Sequence, residues 1–497
     1  MELYKLTIKE ARDLLEKGEI TSVELTESFL ARINQLEPKL NSFITVTSEL
    51  ALKQAKASDE RRARGEALSK IDGIPMALKD VFSTKGIKTT AASKILKDYI
   101  PDFDATVTKK LMDAGCILLG KANTDEFTMG SSTENSYFGP TKNPWNLERV
   151  PGGSSGGSAA AVSADECVFA LGTDTGGSIR QPSSFCSTVG LKVTYGLVSR
   201  FGVVSYASSF DTIGPITKTV EDAAIVLNHI AGHDVDDSTT TRDKLPDYTT
   251  FLRSDLKGKK IGLPKEFFGE GLNNEVARIL ENAKSMLESL GAEVVDVSLP
   301  MTKYAIATYY VLVKSEASSN LSRYDGIRYG LSAIKSKDSG LRTPDVGLSL
   351  SDVYLQSRTE GFGSEAKRSI MMGTYTLSSG YFDAYYLKAA KVRTKIKEEY
   401  EKILSEVDVL MAPVSPFPAF KIGEKLDDPL SMYKADADTV PINTAGIPAM
   451  SVPAGFTESG LPVGIQIIGP MMGEGKIFEV ASAFEKAAKI SDIKPKL

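Results

Sequence analysis

Apolar positions along this chain switch repeatedly between two patterns. Short unbroken apolar runs alternate with stretches whose apolar residues recur every three to four positions. That rhythm predicts buried strands between amphipathic helices. Residues 7–37 read as two helices, the second opened by Thr21-Ser22 with Glu24 following. Residues 47–66 form a charged helix. GIPMALKDVF (73–82) is a short apolar strand ending in Lys79-Asp80, ATVTKKLMDAG (105–115) a helix stopped by glycine, and CILLGKAN (116–123) a strand. The run Ala159–Ala161 predicts helix, CVFALG (167–172) a buried strand, and residues 220–231 a further helix.

Downstream, KKIGLPKE (259–266), a helix at 273–290 and AEVVDVSLP (292–300) repeat strand–helix–strand. A long helix over 378–405 precedes strands at VDVLMAPV (407–414), AMSVPAG (449–455) and VGIQIIG (463–469), and a closing helix spans 474–489. Segments 233–250 and about 335–350 are polar and loop-like, and neither reads as a clean domain boundary. There is no internal repeat of fixed period. The alternation favours an α/β sheet.

Composition adjusts this picture little. The chain has 497 residues, 42% hydrophobic and 25% charged, ample for a large core. Length alone allows about two to four domains. The net charge is −5 and no long basic run offers nucleic acid a charged track. Cys116, Cys167 and Cys186 have neither metal-ligand nor disulfide-framework spacing, which fits a reducing cytoplasm. The start, MELYKLTIKEARDLLEKG, reads as an amphipathic helix with acids rather than a signal peptide. No run of about 18 apolar residues occurs, so no membrane span is expected.

Histidine decides which chemistry is open. The chain has two, His229 and His233, both at the end of the helix predicted over 220–231. There a cation meets the negative end of the helix dipole. A serine–histidine–aspartate hydrolase and a histidine-ligated metal site are therefore disfavoured. A serine nucleophile then needs another base. Lysine serves if its pKa falls from about 10.4 to about 7–8, which takes roughly 3–5 kcal/mol in favour of the neutral amine. Burial supplies this, because desolvation disfavours the charged form. Lys79, on an apolar strand, is the candidate. The plainer alternative is a strand-end lysine paired with Asp80.

Two glycine-serine loops, Gly152–Ser158 and Gly176–Ser178, bracket the VFALG run. A flexible linker would carry no such apolar segment. In Thr175-Gly176-Gly177-Ser178, the glycines let backbone N–H groups face one concavity, where they stabilise a tetrahedral oxyanion. A tight strand-to-helix turn would carry the same glycines. The Gly152–Gly157 loop suits a phosphate at a helix N-terminus, yet it lacks the Gly-Lys-Ser/Thr ending of a P-loop.

Lys79, GGSSGGS (152–158) and TDTGGSIRQP (173–182), in that order, resemble the amidase signature family. The resemblance implies Ser178 as the acylated nucleophile and Ser154, preceded by a cis peptide from Gly153, as the bridging serine. Lys79 is then the base acting through Ser154, and Thr175, Gly176, Gly177 and Ser178 form the oxyanion hole. The implied fold is a single amidase domain over residues 1–497: α/β, a large mixed twisted sheet layered between helices. Its signature core lies at about 70–200 and its glutamine-pocket segments at about 300–440.

Blocks at 123–146, 206–224, 314–330, 377–393 and 427–455 are similar to one branch of that family, the A subunits of aspartyl/glutamyl-tRNA amidotransferases. The likeness covers about residues 5–490. It implies a cytoplasmic glutaminase that passes ammonia to a tRNA-binding partner, the B subunit, while a small C subunit helps the complex assemble. Glu-tRNA(Gln), and in many members Asp-tRNA(Asn), is then amidated on the partner, where ATP and Mg2+ belong. No cofactor or metal is implied on this chain. Matching motifs place the glutamine α-carboxylate on Arg368 and the α-ammonium on Asp436, with Tyr309 alongside and Asp438 competing with Asp436. Met129, Gly130 and Ser131 are expected to line the same pocket. Relatives often carry a second arginine where this chain has Ser369.

Two other classes compete with this reading. A free-standing amidase would share the central signature but not the blocks at 314–330 and 427–455. An inactive scaffold would have no need of Lys79, Ser154 and Ser178 together.

Overall fold

Eleven strands hydrogen-bond into one mixed sheet. They are β1 (Phe43–Val46), β2 (Pro75–Lys79), β3 (Ile117–Ala122), β4 (Phe169–Asp174), β5 (Val189–Lys192) and β6 (Thr212–Thr217) in the first half of the chain. β7 (Lys260–Pro264), β8 (Glu293–Val297), β9 (Val409–Pro413), β10 (Ala449–Phe456) and β11 (Pro462–Ile468) follow. Across the sheet the order is β1-β3-β2-β4-β6-β5-β10-β11-β9-β7-β8. The computed structural model describes residues 2–269, 271–334, 349–426, 428–491 and 493–497.

Every residue of β2, β3, β4, β5, β6, β9 and β11 is buried. Helices cover both faces, so these strands read as continuous apolar runs rather than alternating ones. The outermost strands β1 and β8 keep partly exposed positions. β2 lies between β3 and β4 and runs parallel to both. The C-terminal ends of β2 and β4 therefore open on the same side of the sheet. Lys79 ends β2 and Asp174 ends β4, which puts the loops that follow them side by side.

The expected elements at 7–37, 47–66, 105–115, 220–231, 273–290 and 474–489 are helices at Ile8–Lys17, Ser22–Leu40, Ser48–Ala63, Thr106–Asp113, Val220–Ile230, Asn274–Ser289 and Glu474–Ala488. Thr21 and Glu24 close a reciprocal capping box at the second of these.

The strand expected to end in Lys79-Asp80 is Pro75–Lys79, and the Asp80 side chain accepts the Thr90 N–H at 2.9 Å. One expectation needs correcting. The single helix expected over 378–405 is a π-helical turn at Asp383–Leu387 followed by helix Lys388–Ile403. Other elements were not expected at all. β5 and β6 carry glycine or proline, and no element was expected at either. Helices Ala305–Asn320, Leu350–Gly361 and Ser364–Leu377 present tyrosines, charges and serines in no single apolar stripe. Most of the polar segment 335–350 lies outside the described residues.

Candidate active site

Lys79 is fully buried at the end of β2. The parallel register sets Leu78 beside Leu171, so the next residues bring Lys79 level with the end of β4. Its Nζ lies 2.8 Å from Thr173 Oγ1, 2.7 Å from Ser154 Oγ and 2.9 Å from Ser155 Oγ. Three neutral hydroxyls surround the amine, and no carboxylate among the described residues touches it. Burial therefore pulls its pKa down to about 7, against the more distant pull of Asp125, Asp174 and Asp211. The plainer pairing with Asp80 does not form. Asp80 is partnered by Lys121 at 3.3 Å.

Ser154 is also fully buried, and the peptide between Gly153 and Ser154 is cis. The Gly153 N–H donates to Gln181 Oε1 at 2.9 Å, while Gln181 Nε2 donates to the Ser131 carbonyl at 2.9 Å. One side chain thus ties the two glycine-serine loops to the 129–132 segment. Ser178 is the outermost of the three signature residues: it is 8% exposed and lines a cavity, whereas Lys79 and Ser154 lie behind the wall.

The Thr175–Ser178 loop is pinned from behind. Asp174 accepts the Gly177 N–H at 2.8 Å and the Ile179 N–H at 3.2 Å. Burial raises its pKa, but the Arg180 guanidinium at 3.1 Å and Asn443 Nδ2 at 2.8 Å outweigh this and hold it at about 2. Of the N–H groups expected to line an oxyanion hole, that of Gly177 is turned to Asp174, while those of Gly176 and Ser178 meet no acceptor among the described residues. Thr175 spends its hydroxyl on Asp211 at 2.7 Å. Gly177 needs its glycine: φ is +138°, and a Cβ would sit 2.2 Å from Thr439 Oγ1.

The cavity in front of Ser178 has a volume of about 280 Å3, at the low end for small-molecule sites. Gly130, Ser131, Gly176, Tyr309, Arg368 and Asp436 all lie on its wall. Asp436 is held by Ser131 Oγ at 2.5 Å, and burial raises its pKa to about 7. Asp438 lines a different cleft, whose wall also carries Lys265 and Lys303, which separates the two aspartates that sequence left in competition. Met129, expected on the same wall, is buried in the core: its N–H donates to the Glu126 carbonyl at 2.9 Å and its carbonyl accepts from Asn135 Nδ2 at 3.1 Å. Arg368 sits at the rim, its side chain 41% exposed and paired with Glu365.

The Amidase family profile matches residues 24–478, which take in every one of these groups. The chain belongs to the Amidase family. Among curated relatives, the A subunit of glutamyl-tRNA(Gln) amidotransferase from Caldanaerobacter subterraneus subsp. tengcongensis is 56% identical, covering 100% of this chain and 99% of that protein. The crystal structure of the protein of the same name from Thermotoga maritima superposes with a TM-score of 0.80 at 45% identity, covering 98% of this chain and 95% of that one. The native peptide amidase of Stenotrophomonas maltophilia gives 0.79 at 30% identity, covering 98% and 97%.

Several residues of this Amidase site escaped the sequence reading. Lys314, Glu365, Tyr206, Tyr310 and Tyr433 also line the cavity. Tyr310 stacks on Tyr433 with ring centroids 3.9 Å apart. Asp174, Arg180 and Gln181 stood inside the TDTGGSIRQP block but were given no role. Their signal was a charged pair and an amide flanking an otherwise small, buried loop. Neither histidine comes near the site: His229 is half-buried in the last turn of its helix, and His233 is exposed beside Thr240. Among the described residues, no group of His, Cys, Asp or Glu is arranged to hold a metal ion, and no helix is long and apolar enough to cross a membrane.

Proposed function

We propose that this chain is the glutamine-hydrolysing subunit of a tRNA-dependent amidotransferase. The observation that carries the reading is the buried relay from Lys79 to Ser154 behind a cavity walled by Ser178, in a chain 56% identical over its full length to a glutamyl-tRNA(Gln) amidotransferase A subunit. Ser178 Oγ attacks the side-chain amide carbon of glutamine. Its proton passes to Ser154 as the Ser154 proton passes to the neutral Lys79 amine. The Gly176 and Ser178 N–H groups hold the oxyanion. Collapse breaks the C–N bond, the proton returns through Ser154 to the leaving nitrogen, and ammonia departs. Water then hydrolyses the glutamyl–Ser178 ester by the same relay. Asp436 suits the α-ammonium, and the cationic wall carrying Lys314 and Arg368 suits the α-carboxylate.

The ammonia is then consumed on a tRNA-binding partner, the B subunit, in a complex that a small C subunit helps to assemble. There ATP and Mg2+ activate Glu-tRNA(Gln) for amidation. An exposed apolar strip on helix Ser364–Leu377 and the turn beyond it supports association with other chains: Met371, Met372, Tyr375, Tyr381, Phe382 and Tyr385.

Glutaminase assays on Ser178→Ala test the reading. The variant should release no ammonia above background, and wild-type turnover in it would remove Ser178 from the reaction. The likeness to a peptide amidase at 30% identity keeps a free-standing amidase as the second reading. Purification from the native cell separates the two. Recovery together with two further chains is expected, and recovery alone would favour the second.

A further inference from the structure

The helices Ala305–Asn320 and Ser364–Leu377 bring two cations to the cavity, and they differ sharply in setting. Arg368 is 41% exposed, and Glu365 already engages its guanidinium. Lys314 is 3% exposed. Its Nζ lies 2.7 Å from Glu365 Oε1 and 2.8 Å from Ser369 Oγ. Around it stand the rings of Tyr206, Tyr310 and Tyr433, with centroids 6.0, 5.6 and 5.6 Å from Nζ.

Helical spacing builds this arrangement. Tyr310 and Lys314 are four residues apart on one helix, so they share a face. Glu365, Arg368 and Ser369 share a face of the opposing helix for the same reason. Gly373 lets the helices close: a Cβ there would sit 2.0 Å from the Lys314 carbonyl oxygen. Ser369 is small enough to leave room for the Lys314 ammonium.

Two features point to a ligand. Lys314, Arg368 and Lys425 line the cavity with Glu365 and Asp436, so three cations meet two carboxylates and one positive charge stays uncompensated. An ammonium also has three donors. Glu365 and Ser369 take two, and the third meets no acceptor among the described residues. Burial decides between the cations. An interaction near an effective dielectric of about 20 is roughly four-fold stronger than in water. We propose that Lys314 holds the α-carboxylate of the substrate, with Glu365 and Ser369 orienting its ammonium and Arg368 serving only as an outer charge. This rests on the glutamine-hydrolase reading of the site. Asp436, held by Ser131, is left for the α-ammonium.

The test uses the full chain together with any chains that co-purify with it. Wild type and variants are compared on glutamine and on γ-aminobutyramide, the same amide without its α-carboxylate. Lys314→Met should raise KM for glutamine about 10- to 100-fold, with kcat within about 3-fold and kcat/KM for γ-aminobutyramide near wild type. Lys314→Gln keeps two donors for Glu365 and Ser369, so the helix pairing survives. It should raise the glutamine KM in the same way, and it decides the matter if Lys314→Met does not fold. Lys314→Arg keeps the charge and should stay within about 5-fold of wild type. Arg368→Ala should shift KM less than either neutral variant.

An unchanged glutamine KM in Lys314→Gln, an equal loss on both amides, or a larger shift in Arg368→Ala would each overturn the proposal. A wild-type enzyme that takes γ-aminobutyramide as readily as glutamine would instead overturn the substrate reading itself.

Discussion

A protonated amine accepts no proton, and burial holds the Lys79 amine at about 7. In the proposed mechanism the relay is blocked below that pH, and above it the base is free. Glutaminase kcat should therefore rise with pH through about 7 and then level off. Asp436 titrates in the same range and in the same direction, because only its ionised form attracts an α-ammonium. Measuring kcat and KM separately resolves the two. Asp436→Asn should raise KM and leave the acid limb of kcat in place. Lys79→Ala should cut kcat by about 10²–10⁴-fold and flatten the limb. A limb that survives in Lys79→Ala would assign the base elsewhere. At this scale the sequence was informative about identity and poor about setting. The scarcity of histidine and the apolar strand around Lys79 marked it as the candidate base. Nothing in the residues near Lys314 marked it as buried, because its burial is made by tyrosines and a glutamate from three other segments.

Between β4 and the helix Arg180–Cys186, the nucleophile loop owes its shape to a buried ion pair. Arg180 and Asp174 are both fully buried, and the guanidinium also reaches Gln466 Oε1 at 2.8 Å on β11. One side chain thus joins three elements. Removing one member of a buried pair leaves an uncompensated charge and costs about 3–5 kcal/mol. Arg180→Met should lower the unfolding free energy in a denaturant titration by about that amount and reduce activity through the loop. A loss below about 1 kcal/mol would show that the pair does not anchor the loop. Strands and helices with one clean period were legible from sequence. β5, β6 and helix Ala305–Asn320 were not. The two strands carry glycine or proline inside a buried sheet, and the helix has the cavity on one side and the core on the other, so no apolar stripe survives.

Over the whole molecule, the sheet interleaves distant parts of the chain: β5 pairs with β10 and β4 with β6. Residues from Lys79 to Asp436 lie on one cavity wall or directly behind it. We expect a single endotherm on thermal unfolding of the chain, and two separable transitions would overturn the one-domain reading. The sequence by itself determined the α/β class, the scarcity of histidine and the order in which Lys79, Ser154 and Ser178 stand as candidates. These depend on residue types and local periods, which are written along the chain. Only the tertiary structure decided that the Gly177 N–H is occupied, that Asp436 rather than Asp438 faces Ser178, that Met129 is core, and that Lys314 is the buried cation. Each of these turns on burial and on contacts between segments far apart in sequence, and neither quantity exists until the chain has folded.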